Sequence, residues 1–434
     1  MMKSSKMLTL FALSCMALVG CKTNGTTTSD SPKESDTTTS STTKPAEKVD
    51  LTIGCPNKQK DWMKAEVETF LSNEKLTDSY NIKMVQLEES DVNDSTKVPD
   101  WTTGPDLFAY ASDQTLGLVQ KGVLADVQTA YATAMKNEMG DEIIAAGKVG
   151  TKTYGYPYAG DNGYFLYYNK SLFNGKEAKL DTLDGVVEVC KANNLKLSYK
   201  LAETFFSTGL MFSFGARYNV TLTADQKDIA SISADFNGEK GLKAGKAMRT
   251  ILNNADIDTT KDGQKAPIAA NGLGACVDGS WNAQTYKETM GDDYGCIKLP
   301  TITVDNETVN IGSFLGYKLY GVNKIKNGSD TKKQTTLHKL ANFLVSKDVQ
   351  EKRFDDLTIA PTNKEVKALK KVQDTPHIKA IAAQAAFSVA QTIVPSNIWK
   401  EETNPYASLL NKKNATDAEL QSFLDTYNTA VQTK

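Results

Sequence analysis

A tyrosine-rich segment runs from Tyr154 to Lys170 and reads Tyr-Gly-Tyr-Pro-Tyr-Ala-Gly-Asp-Asn-Gly-Tyr-Phe-Leu-Tyr-Tyr-Asn-Lys. It holds six of the 17 tyrosines of the chain, with Asp161 and Asn162 between two aromatic runs. A tyrosine buries an apolar ring face while its hydroxyl group stays available for hydrogen bonds, so this composition favours a ligand rich in hydroxyl groups, such as a sugar. The alternative is structural, a pair of tyrosine-rich strands joined by a turn at Ala-Gly-Asp-Asn-Gly.

The elements that must position such residues alternate between strands and helices in the first part of the chain. The patterns predict strands at Val49–Gly54, Ile82–Leu87 and Pro105–Tyr110, and helices at 62–71 and 113–121. This order predicts a parallel sheet of an α/β fold, whose ligands bind beyond the carboxyl ends of the strands. The side chains expected at that edge belong to Asn57, Lys58, Tyr110 and Asp113.

The later part of the chain continues in shorter units. Residues 273–281 are predicted as a strand, a glycine turn and a tryptophan at the start of a helix, and Thr416-Asp-Ala-Glu419 has the capping-box pattern of a final helix. The other predicted elements are helices at 181–193, from Thr204 and at 239–254, and strands at 195–199, 294–299 and 313–323.

Composition excludes several classes of function. The 434 residues carry 50 basic and 52 acidic side chains, a net charge of −2, which gives no electrostatic footprint for nucleic acid. The two histidines, His338 and His377, lie far apart in sequence and lack the spacing of a zinc site. No metal and no cofactor are expected, and the length suits two or more lobes with separate cores.

The N-terminal residues have the pattern of a lipoprotein signal. Lys3 and Lys6 precede the apolar run 7–19, which is shorter than a membrane span. The following Leu-Val-Gly-Cys resembles the lipobox of bacterial lipoproteins, which predicts cleavage after residue 20 and a thioether-linked lipid on Cys21.

A polar segment follows the predicted lipid. Residues 22–49 consist almost entirely of Thr, Ser, Asp, Lys, Gly and Pro, which predicts a disordered tether. No later stretch has enough consecutive apolar residues to cross a bilayer, so the folded body is expected to be soluble and anchored.

Four cysteines remain in the body, namely Cys55, Cys190, Cys276 and Cys296. That number does not make a disulfide scaffold in a chain of this size. Cys276 and Cys296 lie in two short apolar segments that could be neighbouring strands, so both a bridge between them and free thiols stay open.

Six segments occur in an order that is typical of one protein family. They are Pro105–Val127, the tyrosine-rich segment, Gly279–Trp281, Lys298–Thr301, the Gly-Ser-Phe-Leu-Gly-Tyr run from Gly312, and Val322-Asn323. Together they resemble the maltose and maltodextrin branch of the extracellular solute-binding proteins that feed ABC importers. The resemblance covers Leu51 to the C-terminus. It implies an α/β, two-lobed periplasmic-binding-protein-like fold of type II, whose lobes are joined by a multi-strand hinge with a ligand cleft between them.

The resemblance also implies a division of the chain. The segments would be a signal peptide at 1–20, a lipidated cysteine and tether at 21–49, one lobe at 50–160 plus 312–359, and a second lobe at 161–311 plus 360–434. The chain would cross between the lobes near residues 159–161, 311 and 360.

Ligand contacts in the first lobe are carried over by position. Lys58 falls where the family has a ligand-contacting lysine, Tyr110 falls at a stacking aromatic residue, and Asp113 falls at an acid. Gln114 stands where the best-known members have an arginine, which removes a bidentate charged donor and leaves the sugar length or linkage open. Because Asp113 precedes a predicted helix, a role as its cap is the alternative.

Further contacts are implied at and beyond the crossing. Asp161, with Asn162 beside it, matches the acid beside the lobe crossing. Glu203 and Phe205 match an acid and an aromatic residue two positions apart, although a phenylalanine offers no hydroxyl group.

Stacking residues in the second lobe follow from the same resemblance. Trp281 matches a stacking tryptophan, with a buried core tryptophan as the alternative. Trp399 is expected to supply another aromatic platform near the C-terminal end, with Tyr406 as the competing candidate.

The implied protein is a lipid-anchored, monomeric receptor on the outer face of a Gram-positive type of cell membrane. It would capture an oligosaccharide, most simply a maltodextrin, and deliver it to the permease subunits of an ABC importer without making or breaking a bond. The alternatives are the same fold with a different sugar or solute, a secreted carbohydrate-active enzyme with two facing carboxylates, and a surface adhesin.

Overall fold

The structure is a computed structural model that describes residues 47–260, 268 and 272–434. The predicted signal peptide, the predicted lipid on Cys21 and nearly all of the predicted tether lie outside the described residues. Among the helices within those ranges, none combines the length and the apolar character that crossing a membrane requires.

Strands and helices alternate along most of the described chain. The strands are β1 (Val49–Cys55), β2 (Tyr80–Gln86), β3 (Leu107–Ala111), β4 (Lys148–Val149), β5 (Lys152–Thr153), β6 (Tyr156–Asn169), β7 (Lys196–Tyr199), β8 (Tyr218–Leu222), β9 (Ile229–Ala234), β10 (Ile257–Asp258), β11 (Leu273–Gly279), β12 (Tyr294–Ile297), β13 (Thr301–Val304), β14 (Glu307–Asn310), β15 (Ser313–Val322) and β16 (Ser388–Ala390). The helices are α1 (Lys60–Asn73), α2 (Thr115–Gln120), α3 (Thr129–Met139), α4 (Asp141–Ala145), α5 (Lys170–Phe173), α6 (Leu183–Ala192), α7 (Thr204–Ser213), α8 (Glu239–Asn253), α9 (Ala283–Met290), α10 (Lys324–Asn327), α11 (Thr331–Leu344), α12 (Lys347–Leu357), α13 (Lys364–Lys367), α14 (Lys370–Gln373), α15 (Pro376–Gln384), α16 (Pro405–Asn411) and α17 (Asp417–Gln432).

A mixed sheet of ten strands organises the molecule. Its order is β10-β7-β11-β6-β15-β3-β1-β2, with β12 paired to β6 and β16 paired to β15. Strand β1 is parallel to β2 and β3, and β7 is parallel to β10 and β11. The two long strands between these groups, β6 and β15, are antiparallel to each other and to β11 and β3. The parallel arrangement predicted from the first part of the chain is therefore confirmed for β1, β2 and β3. A second parallel group, β7, β10 and β11, forms the other end of the sheet, and an antiparallel centre joins the two ends.

The tyrosine-rich segment forms one strand, β6, of 14 residues. Its first half pairs with β15, and its second half pairs with β11 and β12. The alternative of two strands joined by a turn is wrong, since neither Gly160 nor Gly163 has a positive φ. Gly163 is closely packed instead, because a Cβ atom there would lie 2.7 Å from the Ile381 side chain and 3.1 Å from the Phe314 carbonyl oxygen. Pairing with β15 overrides the local preference for a turn.

Two large hydrophobic cores cover this sheet. One draws its side chains mainly from β1, β3, α1 and α11, and the other draws them mainly from α6, α7, α8 and α17. Strand β6 contributes to both, since Tyr158 packs in the first core and Tyr164 packs in the second. Strand β15 does the same, with Phe314 in the second core and Tyr320 in the first.

The start of α2 differs from the prediction. Residues Ser112–Gln114 form a 3-10 turn, and the helix begins at Thr115. No side chain caps either element, so the alternative role of Asp113 as a helix cap is wrong. The capping box at Thr416 and Glu419 is confirmed.

The four cysteines of the body are free. Cys276 on β11 and Cys296 on β12 both lie opposite Tyr167, on the two sides of β6. Two strand spacings of about 4.8 Å separate their backbones, which is more than a disulfide can span. The possible bridge between them is therefore not formed.

These thiols are expected to be unreactive in the folded protein. Cys55, Cys190 and Cys276 are fully buried, and burial raises the pKa of each thiol to about 12. Because the thiolate is the reactive form, Ellman's reagent should label these three residues only after denaturation. The melting temperature should not change when a reductant is added, and a lower value with reductant would contradict the free thiols.

Candidate functional site

An aromatic cluster lies where the second core reaches the surface. Phe205 at the start of α7 stacks on Phe314 of β15 at a centroid distance of 5.6 Å. The rings of Trp281 and Trp399 lie 5.9 Å and 6.3 Å from that of Phe205. Phe314 is fully buried, whereas Trp281 is 36% exposed. The cluster therefore presents one tryptophan to solvent on a rigid aromatic base.

Trp281 is positioned by the end of β11. The strand ends at Gly279, a 3-10 turn covers Ser280–Asn282, and α9 then begins. The indole ring lies directly over Gly279, where a Cβ atom would come within 2.2 Å of it. Glycine is required there because the ring rests on the backbone. With more than a third of its surface exposed, Trp281 is not the buried core residue that was the alternative.

A buried lysine lies beside the exposed tryptophan. The Lys318 Nζ atom is 5.5 Å from the centroid of the Trp281 ring and 3.3 Å from Glu89 Oε1. Glu89 also accepts hydrogen bonds from the Tyr158 hydroxyl group at 2.7 Å and from Gln59 Nε2 at 3.3 Å. Ammonium and carboxylate are both largely buried, and each compensates the charge of the other.

Lys58 connects the first strand to the same region. It lies in the 3-10 turn after β1, at the carboxyl end of that strand as predicted. Its Nζ donates to Asn282 Oδ1 at 2.8 Å and to Thr285 Oγ1 at 3.4 Å. The lysine thereby touches the segment that carries Trp281.

Asp161 lies at a junction of three segments. Its carboxylate accepts a hydrogen bond from the Ala360 backbone at 3.3 Å, and its backbone carbonyl accepts one from the Ser280 hydroxyl group. Burial raises the pKa of Asp161, and the nearby Lys318 opposes this shift. The acid therefore joins β6 to the segments around residues 280 and 360.

Asp113 and Gln114 belong to a chain of polar side chains. Gln114 Nε2 donates to Asp113 Oδ2 at 2.7 Å, and Gln391 Nε2 donates to Asp113 Oδ1 at 3.1 Å. Asn93 Nδ2 donates to Gln114 Oε1 at 2.8 Å, and Asn162 Nδ2 donates to Gln391 Oε1 at 2.9 Å. This series of hydrogen-bonded side chains thus extends from the turn before β3 to the centre of β6.

Asp113 should make the stability depend on pH. Burial raises its pKa to about 6, although the two amides oppose the shift. A raised carboxyl pKa contributes stability below about pH 4, and this contribution is lost as the pH rises through 6. The free energy of unfolding of the wild type, measured relative to Asp113→Asn, should therefore fall by about 2 to 3 kcal/mol from pH 4 to pH 7. Urea unfolding of both proteins at several pH values measures this difference. Plots of unfolding free energy against pH that run parallel for the two proteins would refute the prediction.

Glu203 and Phe205 occupy different environments. Phe205 belongs to the aromatic cluster, whereas the Glu203 side chain is 52% exposed and lies 3.5 Å from Lys200 Nζ. Lys200 is itself buried and forms an ion pair of 3.0 Å with the fully buried Asp278. The acid therefore lies at the open edge of the cluster.

Tyr110 does not lie in this site. It is fully buried in a smaller core, where its ring centroid is 5.9 Å from that of Phe108. A Cβ atom on Gly155 would lie 2.2 Å from its hydroxyl oxygen, so the protein also covers that end of the ring. The prediction that Tyr110 stacks on a ligand is wrong, because both faces of β3 are covered by core side chains.

Tyr406 is also excluded as a stacking residue. It is 2% exposed in the second core, and its hydroxyl group donates to Thr259 Oγ1 at 2.9 Å. Trp399 is only partly buried and lies 5.3 Å from Phe314. Of the two candidates at the C-terminal end, Trp399 is the one that joins the aromatic cluster.

Sequence reasoning missed four residues of the site. They are Glu89, Phe314, Lys318 and Gln391. The sequence contained a signal for Lys318, because it is the one charged residue of strand β15. Gln391 left none, because its role depends on partners 278 and 229 positions away. Within the described ranges, no cluster of His, Cys, Asp and Glu side chains is suited to hold a metal ion.

Comparison with known proteins identifies one family and one fold. The family model described as bacterial extracellular solute-binding protein matches residues 72–380. A search of curated proteins finds no match.

Solved structures match nearly the whole folded body. A structure with acarbose is 25% identical at a TM-score of 0.75, over 89% of this chain and 99% of that chain. The maltodextrin-binding protein MalE1 from L. casei BL23, without ligand, is 21% identical at 0.71, over 89% and 100%. The Thermus thermophilus maltotriose-binding protein, bound with maltotriose, is 17% identical at 0.70, over 88% and 99%. These matches confirm the predicted two-lobed, periplasmic-binding-protein-like α/β fold.

Proposed function

The chain belongs to the bacterial extracellular solute-binding proteins, and we propose that it captures an oligosaccharide of the α-glucan class, with maltodextrins as the first candidates. The observation that carries this proposal is the exposed Trp281 on its aromatic base, with charged and amide side chains around it. The structure with acarbose, at 25% identity, supports the same class of ligand.

The chemistry of a pyranose fits these groups. One face of the sugar ring carries C–H groups that pack on an aromatic ring, and its hydroxyl groups donate to carboxylates and accept from ammonium and amide groups. Trp281 would supply the ring. Lys58, Glu89, Asp113 and Lys318 would supply the polar partners, and Glu203 would contact a further unit at the open edge.

The proposed mechanism is closure of two lobes around the sugar. The lobes would comprise 50–160 plus 312–359 and 161–311 plus 360–434, with β6 and β15 as hinge strands. The two separate cores and the junction at Asp161 support this division. Closure would bury the ligand and present one surface to the permease of an ABC importer, with no bond made or broken.

The anchor is proposed from sequence. Cleavage after residue 20 would leave a lipid on Cys21, and the polar segment 22–49, whose last residue begins β1, would hold the body off the outer face of the cell membrane. Mass spectrometry of the protein isolated from membranes would test this, since an unmodified cysteine or an intact signal would refute it.

Calorimetric titration with maltose, maltotriose and longer maltodextrins tests the ligand class. Saturable binding with a change in tryptophan fluorescence is expected, and the sugar should be recovered intact. Absence of binding across the series would refute the α-glucan class and direct the search to other sugars. Shortened products from a labelled oligosaccharide would instead favour a carbohydrate-active enzyme.

A further inference from the structure

Gln391 is held by side chains from two separate segments. Its Oε1 accepts a hydrogen bond from Asn162 Nδ2 at 2.9 Å, and its Nε2 donates to Asp113 Oδ1 at 3.1 Å. A carboxylate can only accept hydrogen bonds, so the contact with Asp113 fixes which end of the Gln391 amide carries the nitrogen. The Asn162 amide must then donate from its nitrogen to Gln391. These two contacts fix which group is the donor and which is the acceptor in each hydrogen bond from Asn162 to Asp113.

The backbone of Gln391 is held as well. Its N–H group donates to the Leu315 carbonyl at 2.8 Å, and its carbonyl accepts from the Ser112 hydroxyl group. Ser112 directly precedes Asp113, so the main chain and the side chain of Gln391 both form hydrogen bonds with the same 3-10 turn. At 5% exposure, Gln391 is buried between this turn and β15.

The contacts leave part of the Asp113 carboxylate available. Gln114 donates to one oxygen and Gln391 donates to the other. A carboxylate offers about four lone-pair positions, so about two remain for hydroxyl groups of a ligand. The two amides set the plane in which those positions lie.

We propose that Gln391 is a positioning residue of the binding site, which orients the Asp113 carboxylate for sugar hydroxyl groups and couples it, through Asn162, to the hinge strand β6. This inference rests on the proposed function and deepens it. Asp113 and β6 share no direct hydrogen bond among the described side chains, and Gln391 is the group that joins them. Ligand contact at Asp113 is thereby transmitted to a strand that connects the two cores.

The titration of Asp113 supplies a readout of this contact. The side chains that act on its carboxyl group are the two neutral amides, Gln114 and Gln391. The phenol of Tyr218 on β8 also interacts with it, and burial raises the pKa of that phenol, so Tyr218 stays neutral at physiological pH. A change at Gln391 should therefore appear directly in the protonation of Asp113.

The test compares three substitutions with the wild-type protein. Gln391→Glu keeps the size and the acceptor for Asn162 but replaces the donor to Asp113 by a like charge. Gln391→Ala removes both contacts. Gln384→Ala is the matched control, because Gln384 is also a buried glutamine and bonds Leu299, Ile311 and Ser313 without touching Asp113. Affinity for maltotriose and urea unfolding are each measured from pH 4.5 to pH 8.

Affinity should fall as the pH is lowered and Asp113 becomes protonated. Loss of the donor should shift the midpoint of this fall upward, by about one pH unit in Gln391→Ala and by more in Gln391→Glu. Affinity at pH 7 should decrease about tenfold in both variants, because an Asp113 carboxylate that is no longer oriented loses a hydrogen bond to the ligand. Gln384→Ala should lower stability but leave the midpoint unchanged. Equal midpoints in all four proteins would overturn the proposal.

Failure of the proposed function gives a different pattern. If the wild type binds no α-glucan, the ligand class is wrong, and the unfolding data still decide whether Gln391 controls Asp113. A midpoint of the pH-dependent stability that moves in both Gln391 variants but not in Gln384→Ala supports the contact. A midpoint that does not move overturns it.

Discussion

Replacement of Trp281 by alanine is expected to weaken maltotriose binding about 30-fold or more while the melting temperature stays close to that of the wild type. Trp281 is 36% exposed and does not belong to the second core, so its removal should destabilise the fold less than the loss of a fully buried aromatic residue. A buried aromatic contact at the centre of an interface commonly contributes 2 kcal/mol or more to binding, which corresponds to this factor. Calorimetry with maltotriose measures the affinity, and thermal unfolding measures the stability.

Two further variants make the result specific. Trp62→Ala is the matched control, because Trp62 lies on α1 against Arg353, and its affinity should equal that of the wild type. Gly279→Ala should weaken binding although Trp281 is retained, since the new methyl group would occupy the place of the ring. An unchanged affinity in Trp281→Ala would show that the aromatic cluster is not part of the binding site.

Replacement of Asp106 by alanine is expected to lower the free energy of unfolding by about 3 to 5 kcal/mol. Asp106 is fully buried, accepts a hydrogen bond from the Thr52 backbone at 2.7 Å, and pairs with Lys333 at 3.0 Å and Lys326 at 3.2 Å. Its removal leaves the buried Lys333 ammonium group without a compensating charge, which costs far more than the loss of a surface ion pair. Urea unfolding at pH 7 measures the change.

Asp50→Ala is the control for this prediction. Asp50 lies on β1 and pairs with Lys83 in an exposed position. Its replacement should cause no measurable change in the unfolding midpoint, because solvent screens the pair. A loss of stability in Asp106→Ala no larger than that in Asp50→Ala would show that the ion pairs of Asp106 do not stabilise the fold.

Periodic patterns made much of the fold predictable. The apolar spacing predicted α1, α8 and α17 and the strands β1, β3 and β15 to within a few residues, because each element buries one face or both faces against a core. The order of strands and helices predicted the parallel arrangement of β1, β2 and β3. The antiparallel centre was not predicted, since β6 and β15 pair across more than 140 residues.

Local signals were least reliable where tertiary contacts compete with them. Ala-Gly-Asp-Asn-Gly has the composition of a turn, yet it continues β6, because β15 pairs with Ala159, Asn162 and Gly163 and the Gly160 N–H donates to the Ala360 carbonyl. Tyr110 has the residue type of a stacking platform, yet it is buried, because packed side chains cover both faces of β3. Residue type does not specify which elements will cover a strand.

The sequence by itself determined the α/β class of the fold, because ordered motifs and apolar periodicity are local properties. It implied that Phe205, Trp281 and Trp399 share a site only through the family resemblance, and their contacts are seen in the tertiary structure. The tertiary structure alone decided which polar groups meet. Lys318 reaches Glu89 and Trp281, and Gln391 reaches Asp113, only after β6 and β15 bring distant segments together. The physical reason is that hydrogen bonds and ion pairs act over a few ångströms, whereas their partners lie far apart in the chain.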